Sequence, residues 1–229
     1  MLQFYYLPLR ARGEPLRMML IYGHIEFDDN VILFKDWEET KNAKTICPFG
    51  QLPALKLDSG IVIAQSGAIA HYIAKICGIY PTDPEKCARA DMIYELSQEM
   101  NMINPLCNYF PYKSEKWQTE YNNFFERLPD RLEFLSNALG EEQSYFGGMF
   151  ENRPSHADFG IFHILDMTTY LKPDALDKYP LLTGHLFTMR CIPSIARYLR
   201  GRLTADSPDW GLPGSYIMMT AKPQTEEPL

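Results

Sequence analysis

The sequence predicts an α/β N-terminal domain followed by an all-α helical domain. In residues 1–78, strand-like and helix-like segments follow one another in the order βαβ-ββα, which is typical of a compact unit built on one mixed sheet. Residues 79–86 carry two prolines and read as a linker, after which strand signals nearly vanish. Long helical patterns occupy residues 87–205, and residues 206–229, with four prolines, read as a tail.

The first half of the N-terminal domain predicts two parallel strands joined by a helix. Residues 2–6 alternate in polarity as a half-buried strand does. Glu14 and Pro15 suit the first turn of a helix that Gly23 ends. Residues 31–33 supply a second strand, and a strand–helix–strand order of this length implies a right-handed crossover.

The second half of this domain predicts a surface loop, a hairpin and a helix. Residues 37–47 are polar and irregular, as in a loop. Apolar residues 54–57 and 61–63 flank Asp-Ser-Gly, a strong hairpin signal. A helix with Ser66 as its N-cap follows and ends at Gly78.

Beyond the linker, apolar residues recur at helical spacing in five stretches, with a kink expected at Pro105. They cover residues 87–104, 115–127, 130–139, 155–171 and 187–200. Ser155 and Asp158 form an S-x-x-D capping box at the start of the fourth stretch, which we interpret as structural.

Charge and composition exclude several classes of partner. The net charge is −7, and lysines and arginines form no run, so no nucleic-acid partner is expected. No apolar stretch reaches membrane-spanning length and no signal peptide is recognisable, so no membrane partner is expected. Five scattered cysteines without a CxxC pair, and histidines without ligand spacing, predict reduced thiols, no metal and a cytoplasmic location.

Two neighbouring features predict a site for a short acidic peptide. A Leu-Pro pair at residues 52–53 is a natural place for a cis peptide bond at the mouth of a strand, with backbone groups facing a ligand. Ser66 opens a helix beside that edge, and the N-terminus of a helix attracts a carboxylate.

The motifs at residues 6–17, 49–53, 65–66 and 155–158, in this order, resemble those of the cytosolic glutathione transferases of the tyrosine type. The resemblance extends to about residue 205 and is nearest to the sigma, pi, alpha and mu classes. It implies a thioredoxin-like N-terminal domain, glutathione as co-substrate, no metal, and a homodimer. It also implies an apolar electrophile as second substrate.

The resemblance assigns roles to individual residues. Tyr6 would donate a hydrogen bond to the glutathione thiol and lower its pKa, while Tyr5, on the other face of the strand, would only pack. Glu99 stands where the family usually has an aspartate that reaches the partner subunit's ligand, and Gln98 next to it could share this role. The implied glutathione-binding residues are Tyr6, Arg12, Trp37, Lys44, Gln51, Leu52, Pro53, Gln65, Ser66 and Glu99.

Two further groups follow from the resemblance. Leu7, Leu9, Pro105 and Tyr109 would line the pocket for the second substrate. Phe49 would insert between helices of the partner subunit, unless it folds back into its own domain.

The resemblance favours a transferase that conjugates glutathione to apolar electrophiles. One alternative on the same site is a glutathione-dependent isomerase, of the prostaglandin D synthase kind, or a peroxidase. The other is a non-enzymatic binding or structural protein.

Overall fold

The computed structural model of the protein describes residues 1–108, 110, 112–140, 144–146 and 153–203. Tyr109 and the predicted tail at residues 206–229 lie outside these ranges. No helix in the described ranges has the length and apolar character needed to cross a bilayer.

The N-terminal domain contains one four-stranded mixed sheet with the strand order β2-β1-β3-β4. The strands are β1 (Leu2–Tyr6), β2 (Phe27–Val31), β3 (Ala54–Lys56) and β4 (Val62–Ala64). β1 runs parallel to β2, and β3 is antiparallel to both of its neighbours. The predicted βαβ-ββα order and the hairpin are therefore confirmed.

The predicted position of β2, over residues 31–33, was wrong. The strand pairs through Phe27–Val31, with Leu2 opposite Phe27 and Tyr6 opposite Val31. β2 is an edge strand with three polar residues in its middle, so its apolar pattern is weak and the stronger run after it misled the prediction.

Three helices complete this domain: α1 (Glu14–Tyr22), α2 (Trp37–Asn42) and α3 (Ser66–Ile76). α1 begins and ends as predicted, with Pro15 in its first turn and Gly23 at its C-cap. Part of the predicted surface loop is the short helix α2, in which no residue is buried. A helix without a buried face has no apolar periodicity, so the sequence pattern did not reveal it.

The second domain is helical, as predicted. Its helices are α4 (Pro84–Met100), α5 (Asn104–Asn108), α6 (Glu115–Leu139), α7 (His156–Leu171), α8 (Pro180–Cys191) and α9 (Pro193–Leu203). α4 begins inside the predicted linker, because the Asp83 side chain accepts hydrogen bonds from the N–H groups of Glu85 and Lys86.

Two helix predictions in this domain were wrong because of prolines. The predicted pair at residues 115–127 and 130–139 is the single helix α6, which continues through Pro129. The predicted helix at residues 187–200 is divided between α8 and α9, with a proline at the first position of each. Proline at that position loses no helical hydrogen bond, so it marks a helix start here.

α7 is the central helix, and α1, α4 and α8 pack around it. The capping box at its start is formed as predicted: the Asp158 carboxylate accepts the Ser155 N–H at 2.7 Å and the Ser155 hydroxyl at 2.9 Å. Gly160 lets α4 approach closely, since an added Cβ would lie 2.4 Å from the Ser97 Oγ. α7 thereby fixes the helical domain against α1 and α3 of the N-terminal domain.

Candidate functional site

A cleft of about 540 Å³ opens where the C-terminal end of β1, the start of β3 and the start of α3 meet. Nine of its lining residues were predicted from the sequence, eight for glutathione binding and Leu7 for the second substrate. The lining residues are Tyr6, Leu7, Arg12, Trp37, Gly50, Gln51, Leu52, Pro53, Gln65 and Ser66.

Tyr6 is nearly buried, with 5% of its surface exposed, and lies in the wall of this cleft. Its hydroxyl oxygen accepts the backbone N–H of Arg12 at 3.1 Å. A phenol oxygen that accepts a hydrogen bond still has its own O–H to donate. Gly13 packs against the ring so closely that an added Cβ would lie 2.4 Å from the Tyr6 Cδ1. The backbone around Arg12 and Gly13 therefore fixes the position of the phenol.

A buried arginine supports the ring of Tyr6 from inside the domain. The Arg17 side chain is fully buried, and its Nε and Nη2 donate to the two carboxylate oxygens of Asp29 at 2.8 and 3.2 Å. Its guanidinium carbon lies 5.1 Å from the centre of the Phe4 ring and 5.5 Å from that of Tyr6. The signal of this arrangement in the sequence is a charged residue inside the apolar stretch of α1.

Gln98 joins the helical domain to the cleft. Its Oε1 accepts the Ser66 hydroxyl at 3.1 Å and the Arg12 Nη1 at 3.4 Å, and Gln98 itself lies on α4. From the sequence, Gln98 was expected only to share the role of Glu99, because nothing local indicates contacts with Ser66 and Arg12. Arg12 of the N-terminal domain therefore contacts Gln98 of the helical domain.

The start of α3 differs in detail from the prediction. Gln65 is the N-cap residue, with a φ of 73°, and Ser66 is the first residue of the helix. Ser66 does not cap the helix, because its hydroxyl donates to Gln98. The Gln65 side-chain amide donates to the Oε1 of Gln51 at 3.0 Å, which joins the two ends of the β3–β4 unit at the cleft.

The peptide bond between Leu52 and Pro53 is cis, as predicted.

Among the described residues predicted to contact a ligand, four do not line the cleft: Lys44, Leu9, Pro105 and Glu99. Lys44 is exposed beyond α2, and Pro105 is half-buried on α5. Leu9 is fully buried in the hydrophobic core, so its side chain has no surface to offer a second substrate, contrary to the prediction. Tyr109 lies outside the described residues, and its predicted role stays a prediction.

Glu99 lies on another surface of the helical domain. It lines a small apolar groove between α4 and α6, and its carboxylate is 3.9 Å from the Arg131 guanidinium. Met102 lines the same groove and is 62% exposed. The contact predicted for Glu99 is with a ligand bound to a partner subunit. The position of Glu99 within one chain does not test that contact, which stays a prediction.

Phe49 projects from the loop before β3 with 66% of its surface exposed. It does not fold back into its own domain, which was the alternative considered. Cys47, two residues earlier, is fully buried, and burial raises the pKa of its thiol. The loop is therefore anchored at Cys47 and exposed at Phe49.

Comparisons with known proteins agree with this geometry. Models of the glutathione S-transferase N-terminal and C-terminal domains match residues 13–76 and 100–202. The chain is 27% identical to glutathione S-transferase P 1 of Xenopus laevis, over 85% of this chain and 90% of that protein. It is 32% identical to the hematopoietic prostaglandin D synthase of Gallus gallus, over 86% of this chain and 94% of that protein.

A solved structure is similar over nearly the whole fold. The pi-class glutathione S-transferase of Onchocerca volvulus superimposes with a TM-score of 0.78 at 27% identity, covering 91% of this chain and 96% of that one. Both domains and their order agree with these relatives. The chain belongs to the cytosolic glutathione S-transferase family.

Proposed function

We propose that this protein is a glutathione transferase in which the Tyr6 hydroxyl donates a hydrogen bond to the thiolate of bound glutathione. The observation that carries the proposal is the position of Tyr6 in the wall of the cleft, with its oxygen on the Arg12 amide at 3.1 Å. The thiol releases its proton to solvent, the thiolate forms a C–S bond to an electrophilic carbon of the second substrate, and the bond from that carbon to the leaving group breaks with its electron pair. A donor that is already in position stabilises the thiolate without reorganisation during the reaction.

The cleft suits a tripeptide with a carboxylate at each end. The γ-glutamyl carboxylate would accept N–H groups at the start of α3, beside Gln65 and Ser66. The backbone at Leu52 and Pro53 would pair with the cysteinyl residue. At the other end of the tripeptide, Trp37 and Lys44 would bind the glycine carboxylate. Trp37 lines the cleft, and Lys44, which follows α2, has an exposed and flexible side chain.

The second substrate would enter beside the thiolate. Leu7 follows Tyr6 directly, lines the cleft and supplies an apolar contact there. Pro105 on α5 would contribute from the helical domain. These positions favour an apolar electrophile held against the sulfur, which gains rate from proximity as well as from ionisation of the thiol.

We infer a two-fold homodimer from the exposed side chain of Phe49. An exposed aromatic residue on an anchored loop is typical of an interface hot spot, and the apolar groove between α4 and α6 is a suitable receptor in the partner. Phe49→Ser should shift the chain toward the monomer in sedimentation velocity. Ile61→Ser, which removes another exposed apolar side chain, is the control. Equal sedimentation of Phe49→Ser and the unaltered protein would exclude this role.

We place the protein in the cytoplasm. All five cysteines are free thiols, which suits a reducing compartment where glutathione is abundant. The acidic net charge of −7 gives no electrostatic attraction to nucleic acid.

The test has two steps. The protein should be retained on immobilised glutathione, be eluted by free glutathione, and conjugate glutathione to at least one member of a panel of apolar electrophiles. Gln65→Ala and Ser66→Ala should weaken retention, whereas Gln118→Ala, on the exposed surface of α6, should not. Retention without turnover of any electrophile would contradict the transferase proposal and favour a binding protein.

A glutathione-dependent isomerase is the second candidate. It is favoured by the 32% identity to the Gallus gallus hematopoietic prostaglandin D synthase over 86% of this chain. An isomerase returns glutathione unchanged, whereas a transferase consumes it and a peroxidase oxidises it. Incubation with a prostaglandin-type endoperoxide and with a lipid hydroperoxide, followed by quantification of glutathione and its disulfide, separates the three reactions.

A further inference from the structure

Two histidines and an aspartate from three different helices meet at the junction of the two domains. They are His71 on α3, Asp91 on α4 and His156, the first residue of α7. The Asp91 Oδ1 lies 3.1 Å from the Nε2 of His71 and 3.0 Å from the Nε2 of His156. One nitrogen from each ring and this oxygen all lie within 4.8 Å of one another. None of the three residues lines the glutathione cleft.

Both imidazoles lie within ion-pair distance of the Asp91 carboxylate, but neither contact has the geometry of a directed hydrogen bond. Neither nitrogen of His156, nor the Nε2 of His71, nor the Oδ1 of Asp91 has a hydrogen-bond partner among the described residues. The His156 side chain is fully buried, and a buried polar group without a partner is costly. Nitrogens that approach an oxygen without directing an N–H at it have the arrangement of ligands around a common ion. The cluster is therefore incomplete unless a further group binds between these atoms.

We propose that His71, Asp91 and His156 bind a divalent transition-metal ion, with Zn²⁺ as the best match. Imidazole nitrogen and carboxylate oxygen are common zinc ligands, and bonds of about 2.0–2.1 Å in a tetrahedron separate two ligand atoms by about 3.3 Å. The observed separations of 3.0 and 3.1 Å need only a small adjustment to reach that value. The side chains of His71 and Asp91 are 33% and 30% exposed at their outer atoms, whereas the atoms that face one another are buried. The fourth ligand would therefore be a water that enters with the ion.

Tyr80 orients the ligands from outside the cluster. Its hydroxyl donates to the other carboxylate oxygen of Asp91, Oδ2, at 2.9 Å. Its ring stacks on His156 at a centroid distance of 5.3 Å and packs against His71 at 5.5 Å. Outer contacts of this kind hold metal ligands in position, and they leave Oδ1 for the ion.

A metal at this position would have a structural role. It would join α3 of the N-terminal domain to α4 and α7 of the helical domain, and so would stabilise the folded chain. The proposal is independent of the transferase activity, because the cluster and the cleft share no residue.

The test uses the full-length, tag-free chain, freed of metal by a chelator and kept without glutathione, which itself binds zinc. Titration with ZnCl₂ in a calorimeter should give one equivalent per chain. At free zinc about 100-fold above the Kd, Tm should rise by about 5–10 °C. Co²⁺ should give the visible absorption of a four-coordinate site without thiolate charge-transfer bands, which excludes the cysteines as ligands.

Variants decide between this site and adventitious binding. His71→Gln, Asp91→Asn and His156→Gln should each abolish the equimolar binding and the rise in Tm, while His24→Asn, which removes an exposed histidine elsewhere, should retain both. His71→Gln gives the decisive result if the buried His156→Gln variant does not fold, because His71 is partly exposed. The proposal is wrong if no equimolar binding occurs, if binding survives in His71→Gln and Asp91→Asn, or if Co²⁺ gives thiolate bands.

Discussion

Replacing Tyr6 with phenylalanine removes one oxygen atom from the cleft and little else. The phenylalanine ring would keep the contacts of the tyrosine ring with Phe4, at 6.3 Å, and with the Arg17 guanidinium, at 5.5 Å. The Arg12 N–H would lose its acceptor, which costs about 1 kcal/mol of stability. The proposed hydrogen bond to the thiolate would be lost as well, and a bond to a charged group is worth about 1.5–3 kcal/mol. This second loss is the one that turnover measures.

That free energy corresponds to a fall of about 10- to 150-fold in kcat/KM for glutathione at neutral pH. The pKa of the bound thiol should rise toward its value in free glutathione, so the loss should shrink as the pH of the assay is raised. The assay is therefore a pH–rate profile of conjugation, with glutathione affinity measured separately by calorimetry. Affinity should change little, because the peptide contacts remain.

Tyr5→Phe is the matched control for this variant. Tyr5 lies on the other face of β1, and its hydroxyl donates to the Gln3 Oε1 at 2.8 Å. Its loss should leave the pH–rate profile unchanged. An unchanged profile in Tyr6→Phe as well would refute the assignment of Tyr6 as the partner of the thiol.

Gly13→Ala should lower turnover at least tenfold in a folded protein, because the new Cβ would lie 2.4 Å from the Tyr6 ring and displace it. Gly184→Ala, in open space on α8, is the control. Equal turnover by Gly13→Ala and the unaltered protein would count against the prediction. Asp158→Asn should lower the urea-measured free energy of unfolding by about 3 kcal/mol or more, since the buried carboxylate accepts two backbone N–H groups and the cap hydroxyl. Burial raises the pKa of Cys107 from 9.0 to about 12, so the folded chain keeps a proton that the unfolded chain releases above pH 9. The free energy of unfolding should fall as the pH rises through this range, and Cys107→Ala should reduce the slope in alkaline urea titrations.

The sequence predicted the elements whose signals are local. The β3–β4 hairpin, the start of α1 at Pro15 and the capping box at Ser155 each depend on a few consecutive residues, and all three are confirmed. α2 and β2 were misjudged because neither is deeply buried, and the apolar pattern that marks an element comes from burial.

The sequence predicted those residues of the candidate site that belong to recognisable motifs. Leu52, Pro53 and Ser66, which line the cleft, indicate a peptide site by their residue types and positions even before the family is considered, whereas the other predicted cleft residues follow from the resemblance to the family. Gln98 and Arg17 act through contacts with residues far along the chain. The grouping of His71 with His156 likewise depends on how α3 and α7 pack, and no spacing along the chain reports it.

The hydrogen bonds of Gln98 have a consequence for how the enzyme would lose activity. Because a side chain of the helical domain holds Ser66 and Arg12, neither half of the chain alone possesses the whole binding surface. At denaturant concentrations that separate the two domains without unfolding either of them, binding of the tripeptide should already be lost. Activity would then be lost at a lower denaturant concentration than the helical circular dichroism signal. The difference between the two midpoints would measure the stability of the contact between the domains.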